Sequence, residues 1–139
     1  MRLTFRGHTA CRGVAEGEAV VCRSPFMFLS YVDMETGIVE AEDHELKGRS
    51  VKDKVVIYPC GKGSTGEEPS LLLLKEAGVA PKAVVIGNPI YTPGIIGAIL
   101  ADIPTVYGFS RDCLNFIENG DHVKVDADKG IIEVIKRET

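Results

Sequence analysis

The stretch Cys60-Gly61-Lys62-Gly63-Ser64-Thr65-Gly66-Glu67-Glu68 gathers a thiol, a cation, two hydroxyls and three glycines into nine residues. Glycines let the backbone turn tightly and approach a ligand with no side chain in the way. Free N–H groups in such a turn, backed by a helix N-terminus, favour an anion. Lys62 adds charge, and Ser64 and Thr65 add hydroxyls that can donate, accept or transfer a proton. An isolated serine is a poor base at neutral pH. It takes a proton only where helix dipoles, backbone N–H groups and a nearby cation stabilise its alkoxide. The alternative role for Ser64 is a plain turn or helix-capping hydroxyl, and that for the whole stretch is a connecting turn.

Gly61, Gly63 and Gly66 also spell G-x-G-x-x-G, the dinucleotide fingerprint. That reading needs a carboxylate about 20 residues on, at the end of the next strand. The next apolar run, Ala83-Val84-Val85-Ile86, ends instead in Gly87-Asn88-Pro89, and Glu67 and Glu68 would crowd negative charge against a pyrophosphate. A Walker A reading fails because no Gly-Lys-Ser/Thr follows the required spacing.

The elements that position this stretch are legible on both sides. Lys54-Val55-Val56-Ile57-Tyr58 reads as a buried strand. Pro69 opens a helix over 69–77, with Gly78 as its stop. A strand over 83–86 follows. A second helix starts at Pro93, runs through Ile95–Ala101 and ends at Asp102-Ile103-Pro104, before a short strand over 105–107. This β-α-β-α-β order predicts parallel strands with right-handed crossovers.

Around that unit the chain is β-rich. Arg2–Arg6 reads as an edge strand, 17–22 as another, and Arg12–Gly17 as a turn or bulge between them. Pro25–Leu29 is a short buried run, Asp33–Gly37 a turn, and Ile38–Arg49, acidic and aperiodic, a surface loop. Val123–Asp126 and Ile131–Ile135 form a hairpin across Lys129-Gly130. The expected fold class is α/β, a small parallel unit wrapped by additional β-strands in one domain spanning residues 1–139.

Composition removes several classes of function. With 16 basic against 20 acidic residues, a net charge of −4 and a pI near 5.4, no nucleic-acid face is expected. The longest apolar run, near Ile95–Leu100, is too short to span a membrane, and no secretory signal is visible. A cytoplasmic location is expected. Cys11, Cys22, Cys60 and Cys113 form no C-x-x-C pair, which predicts reduced thiols and no metal site on this chain. His8, His44 and His122 stand apart from one another, with His122 on an alternating strand.

An ordered set of blocks resembles the small, swivelling-domain subunit of the aconitase X family. The set runs through Arg12–Ala19, Phe28-Leu29, Val32–Gly37, Gly48–Val51, Val55–Pro59, Gly61–Gly66, Gly97–Pro104 and Gly120–Asp126, and so covers nearly the whole chain. The resemblance implies a swivelling β/β/α domain that docks on a separate large subunit. That partner would carry a 4Fe–4S cluster and most substrate ligands, leaving this chain inactive alone. In the wider aconitase-like superfamily a serine of the glycine loop accepts the proton, and Ser64 is the matching position. Gly61, Lys62, Gly63, Thr65 and Gly66 are the accompanying substrate-binding residues. Many relatives carry two serines before the threonine, whereas here Ser64 stands alone.

Within the family the chain is most like the archaeal phosphomevalonate dehydratase branch. That branch dehydrates (R)-5-phosphomevalonate to trans-anhydromevalonate 5-phosphate in a modified mevalonate pathway, so the implied substrate is a small phosphorylated hydroxy acid. An aconitase X dehydratase of the hydroxyproline type is the nearest alternative. A non-catalytic carrier module, like the phosphohistidine domain of phosphoenolpyruvate-using enzymes, is the other. Such a carrier needs a histidine after Thr92, where Pro93 and Gly94 stand.

Overall fold

Two of the central strands are apolar at every position, and this fixes the middle of the molecule. The computed structural model describes residues 2–61, 68–87, 92–109 and 111–136. Strands β1 (Arg2–Arg6), β2 (His8–Cys11) and β3 (Val14–Val21) are followed by β4 (Val55–Tyr58), helix α1 (Ser70–Glu76) and β5 (Ala83–Ile86). Helix α2 (Thr92–Ala101), β6 (Thr105–Tyr107), α3 (Arg111–Phe116), β7 (His122–Asp126) and β8 (Ile131–Ile135) complete the chain. All residues of β4 and β5 are buried, as strands covered on both faces must be. By contrast β7 and β8 bury every second residue, leaving one face to solvent.

Among the described residues the strands form one sheet in the order β1-β8-β7-β3-β4-β5-β6-β2. The pairs β3–β4, β4–β5 and β5–β6 are parallel, and the rest are antiparallel. Strand β3 joins the two halves: Val14–Glu18 pair with β7, and Ala19–Val21 pair with β4. The end strands of the order, β1 and β2, are separated only by Gly7, so the sheet curls back on itself. Gly7 N–H donates to Gly130 at 2.8 Å, and the Thr9 hydroxyl donates to the Ala127 carbonyl. A side chain at Gly7 would meet the Tyr107 carbonyl at 2.7 Å, which explains glycine at this crossing.

The curled sheet divides the core. Inside lie Val21, Val55, Ile57, Val85, Val106, Val123, Val125, Ile132 and Val134, closed by Cys113 and Ile117 of the α3 segment. Outside, α1, α2 and the long β3–β4 connection cover Val20, Val56, Tyr58, Val84 and Ile86. That connection includes 38–49, expected as a surface loop. Most of it is exposed, but Val39 and Leu46 are fully buried, and it pairs through isolated bridges Val32–Val39 and Ile38–Ser50. Two apolar residues in an acidic stretch have no period to reveal them, yet each plugs the outer core.

Other boundaries moved slightly. The turn expected over 12–17 is only two residues long, because β3 starts at Val14. Helix α1 begins at Ser70 with Pro69 in the cap position, and α2 begins at Thr92. Strand β2 and helix α3 were not foreseen. The β7–β8 hairpin and the parallel β4–β5–β6 order match the sequence reading.

Candidate functional site at the ends of the parallel strands

In open α/β sheets ligands collect beyond the carboxyl ends of the strands. Here four such ends are tied together by backbone hydrogen bonds that continue past the regular ladder. Cys22 N–H donates to Ile57 at 3.1 Å, Gly87 N–H to Tyr58 at 2.9 Å, and Gly108 N–H to Ile86 at 3.0 Å. A side chain on buried Gly87 would come within 2.8 Å of the Pro59 carbonyl oxygen and 3.1 Å of its Cα. This close approach holds Pro59, the first residue after β4, against the end of β5.

Cys60 and Gly61 are fixed from the other side. Phe26 N–H donates to the Cys60 carbonyl at 3.0 Å, and Phe26 forms an isolated parallel bridge with Gly61. The Phe26 ring is fully buried, with its centroid 5.2 Å from Phe28, 5.4 Å from Tyr58, 5.5 Å from His44 and 5.8 Å from Tyr31. The chain therefore enters the glycine-rich stretch from a rigid point. Of the predicted site residues, Gly61 stands at this anchor. Lys62, Gly63, Ser64, Thr65 and Gly66 lie outside the described residues. The chain is described again from Glu68, just before α1.

Next to the anchor sits a polar group that sequence reading missed. Glu45 Oε1 accepts from the Ser24 hydroxyl at 2.7 Å, from Arg23 N–H at 3.0 Å and from Ser24 N–H at 3.2 Å. Burial pushes the Glu45 carboxyl up, but the Ser24 hydroxyl and these two amides outweigh that and hold it below its ordinary value. His44 Nδ1 accepts from Leu46 N–H at 3.1 Å, and its Nε2 lies 3.4 Å from Ser24 Oγ. These residues are adjacent in space but 20 apart in sequence, with no spacing that would mark them.

The thiols differ sharply. Cys11, Cys22 and Cys113 are buried, while Cys60 is half-buried beside the glycine stretch. Burial pushes Cys22 and Cys113 up to about 12. Among the described residues no three His, Cys, Asp or Glu side chains converge to hold a metal ion. His122 is exposed on β7, with Nε2 3.1 Å from Glu16. No helix among the described residues is long and apolar enough to cross a membrane.

Three comparisons with known proteins converge. The family model of the aconitase X swivel domain matches residues 4–134. The phosphomevalonate dehydratase small subunit of Methanosarcina mazei is 41% identical over 97% of this chain and 93% of its own length. That of Archaeoglobus fulgidus is 42% identical over 96% of this chain and all of its own. Among solved structures, Thermococcus kodakaraensis aconitase X in its holo form superposes with a TM-score of 0.90 at 38% identity, covering 96% of this chain and 99% of that one. With the mixed sheet, the strand-end anchor and a match that runs almost from end to end, the chain belongs to the aconitase X swivel-domain family.

Proposed function

We propose that this chain is the small subunit of a phosphomevalonate dehydratase. It would work with a large subunit to remove water from (R)-5-phosphomevalonate, giving trans-anhydromevalonate 5-phosphate for isoprenoid synthesis in the cytoplasm. The observation that carries this reading is the match to proteins named as that small subunit, at about 40% identity along nearly the full length of both partners.

Dehydration of a hydroxy acid needs a proton acceptor beside the carboxylate and help for the departing hydroxyl. In this reading Ser64 accepts the proton. Gly61, Lys62, Gly63, Thr65 and Gly66 bind the substrate around it, with backbone N–H groups and the Lys62 charge lowering the cost of the alkoxide. The described residues of this chain offer no cluster-binding site. A 4Fe–4S cluster on the large subunit would supply Lewis-acid assistance to the leaving hydroxyl. The chain's own part is to bring Ser64, on a stretch anchored at its start, to a substrate held elsewhere. The anchor at Pro59–Gly61 suits that task, because misplacing a reacting group by about 1 Å can cost about 10² in rate.

A partner surface is also at hand. Leu73 of α1 and Ile96, Ile99 and Leu100 of α2 are 42–57% exposed. Helix α2 has no charged residue in its ten positions. Such a face would be covered in an assembly. The carrier-module alternative needs a histidine at the start of α2, whereas His8 and His122 lie on strands β2 and β7 and His44 lies in the β3–β4 connection.

The test is reconstitution. The purified chain, the large subunit and their anaerobic mixture are each given 5-phosphomevalonate. Only the mixture should turn it over; turnover by this chain alone, or none by the mixture, contradicts the proposal.

A further inference from the structure

Glu45 is exposed and distant in sequence from the glycine stretch, yet three donors converge on a single one of its oxygens. All three belong to Arg23 and Ser24, the first residues of the strap that carries Phe26. Two residues later Phe26 makes the hydrogen bond to Cys60 and the bridge to Gly61. His44, beside Glu45, packs on the Phe26 ring and reaches Ser24 Oγ with its Nε2, while Tyr31 packs on His44 at 5.3 Å. Because His44 Nδ1 accepts the Leu46 N–H, its proton sits on Nε2 and points to Ser24. The Ser24 hydroxyl donates to Glu45 at 2.7 Å.

We propose that Glu45 is a positioning residue for the dehydration. Its carboxylate pins the strap at Arg23 and Ser24, and the strap's Phe26 fixes Cys60 and Gly61, where the glycine-rich stretch begins. The proposal rests on the dehydratase reading above, and adds to it a residue that touches neither substrate nor the reacting atoms. The latch runs through one carboxylate oxygen, two amides and a hydroxyl. Hydrogen bonds to a charged group are the stronger ones, so loss of the carboxylate frees the strap more than loss of any single donor. The buried Phe26 ring keeps the strap on the protein when the latch opens. The effect expected is therefore a looser entry to the glycine stretch rather than unfolding.

The experiment compares Glu45→Ala and Glu45→Gln with the wild type. In the reconstituted complex E45A should lose about tenfold in kcat, with KM and the affinity for the large subunit within about twofold of wild type. E45Q keeps an acceptor for the same three donors and should recover most of the loss. In the chain alone, amide exchange at Phe26, whose N–H is held by the Cys60 carbonyl, should speed up in E45A while Val56 and Ile57 stay protected. Wild-type kcat in E45A, a loss shared between KM and subunit affinity, or E45Q no better than E45A overturns the positioning role. Unchanged exchange at Phe26 overturns the latch. An inactive wild-type complex with faster exchange in E45A would instead overturn the dehydratase reading, and with it the role assigned to Glu45 in that reaction.

Discussion

Gly87→Ala adds one methyl group at the point where β5 touches the residue that leads into the glycine stretch. Built on the backbone, the new Cβ lies 2.8 Å from the Pro59 carbonyl oxygen and 3.1 Å from Pro59 Cα. Both atoms are backbone, so neither can swing away as a side chain would. An ordinary contact requires a shift of about 0.5 Å. Overpacking of this kind costs about 1–3 kcal/mol, and in a chain of 139 residues each kcal/mol lowers Tm by roughly 3–5 °C. The strain has two outlets. One is the Gly87 N–H to Tyr58 hydrogen bond at 2.9 Å, the other a displacement of Pro59 that carries Cys60 and Gly61 with it. In the second case turnover of the reconstituted complex should fall about tenfold, with affinity for the large subunit kept. Gly48→Ala is the control: nothing lies within 4 Å of its Cβ, and its φ of +88° costs about 1 kcal/mol by itself. It should lower Tm modestly and leave turnover alone. If Gly87→Ala melts with the wild type and turns over at the wild-type rate, the close approach does not set the position of the anchor.

Other outcomes follow from the same geometry. Lys136 donates to the buried Asp121 carboxylate at 2.7 Å and lies over the Phe116 ring. Lys136→Met should therefore cost about 2 kcal/mol by removing the cation from the Asp121 carboxylate, which keeps the Glu118 N–H at 2.8 Å, and Asp121→Asn in the same chain should restore part of it in a thermal melt. At neutral pH a thiol reagent should label Cys60 in the folded chain and reach Cys22 and Cys113 only after denaturation, read by mass spectrometry. Folded Cys22 and Cys113 keep their protons up to about 12, whereas unfolded thiols release theirs near 9.0. Between those values the unfolded chain binds fewer protons, so stability falls as pH rises, by about 1.4 kcal/mol per pH unit for each thiol. Denaturant melts at pH 8, 9.5 and 11 read this slope, to which Cys11, also raised by burial, adds, and Cys113→Ala should reduce it by about 1.4 kcal/mol per pH unit.

The parallel unit was legible in the sequence because its residues obey a strong local rule. Val55–Tyr58 and Ala83–Ile86 are continuous apolar runs bounded by glycine and proline, as strands covered on both faces require. The β7–β8 hairpin alternates and carries its own turn signal at Lys129-Gly130. What escaped was set by tertiary contact. Strand β2 is four residues whose partner among the described residues, β6, lies about 100 residues away in sequence, and its register is broken between Thr9 and Cys11. Helix α3 is six residues long, below the length at which periodicity shows. Val39 and Leu46 are buried by the packing of one connection, not by any period. At the site, the glycine stretch announced itself by composition. Its anchor could not, since Phe26, Glu45 and Gly87 carry no motif and acquire their roles only when the strand ends meet.

The most direct test of the account is Ser64→Ala in the reconstituted complex, with turnover of 5-phosphomevalonate, substrate binding and a thermal melt measured together. The account predicts a loss of about 10²–10⁴ in turnover, with binding, assembly and melting temperature near those of the wild type. Turnover at the wild-type rate would place the proton acceptor elsewhere, and an early melt would make Ser64 a structural hydroxyl; either result contradicts the central claim.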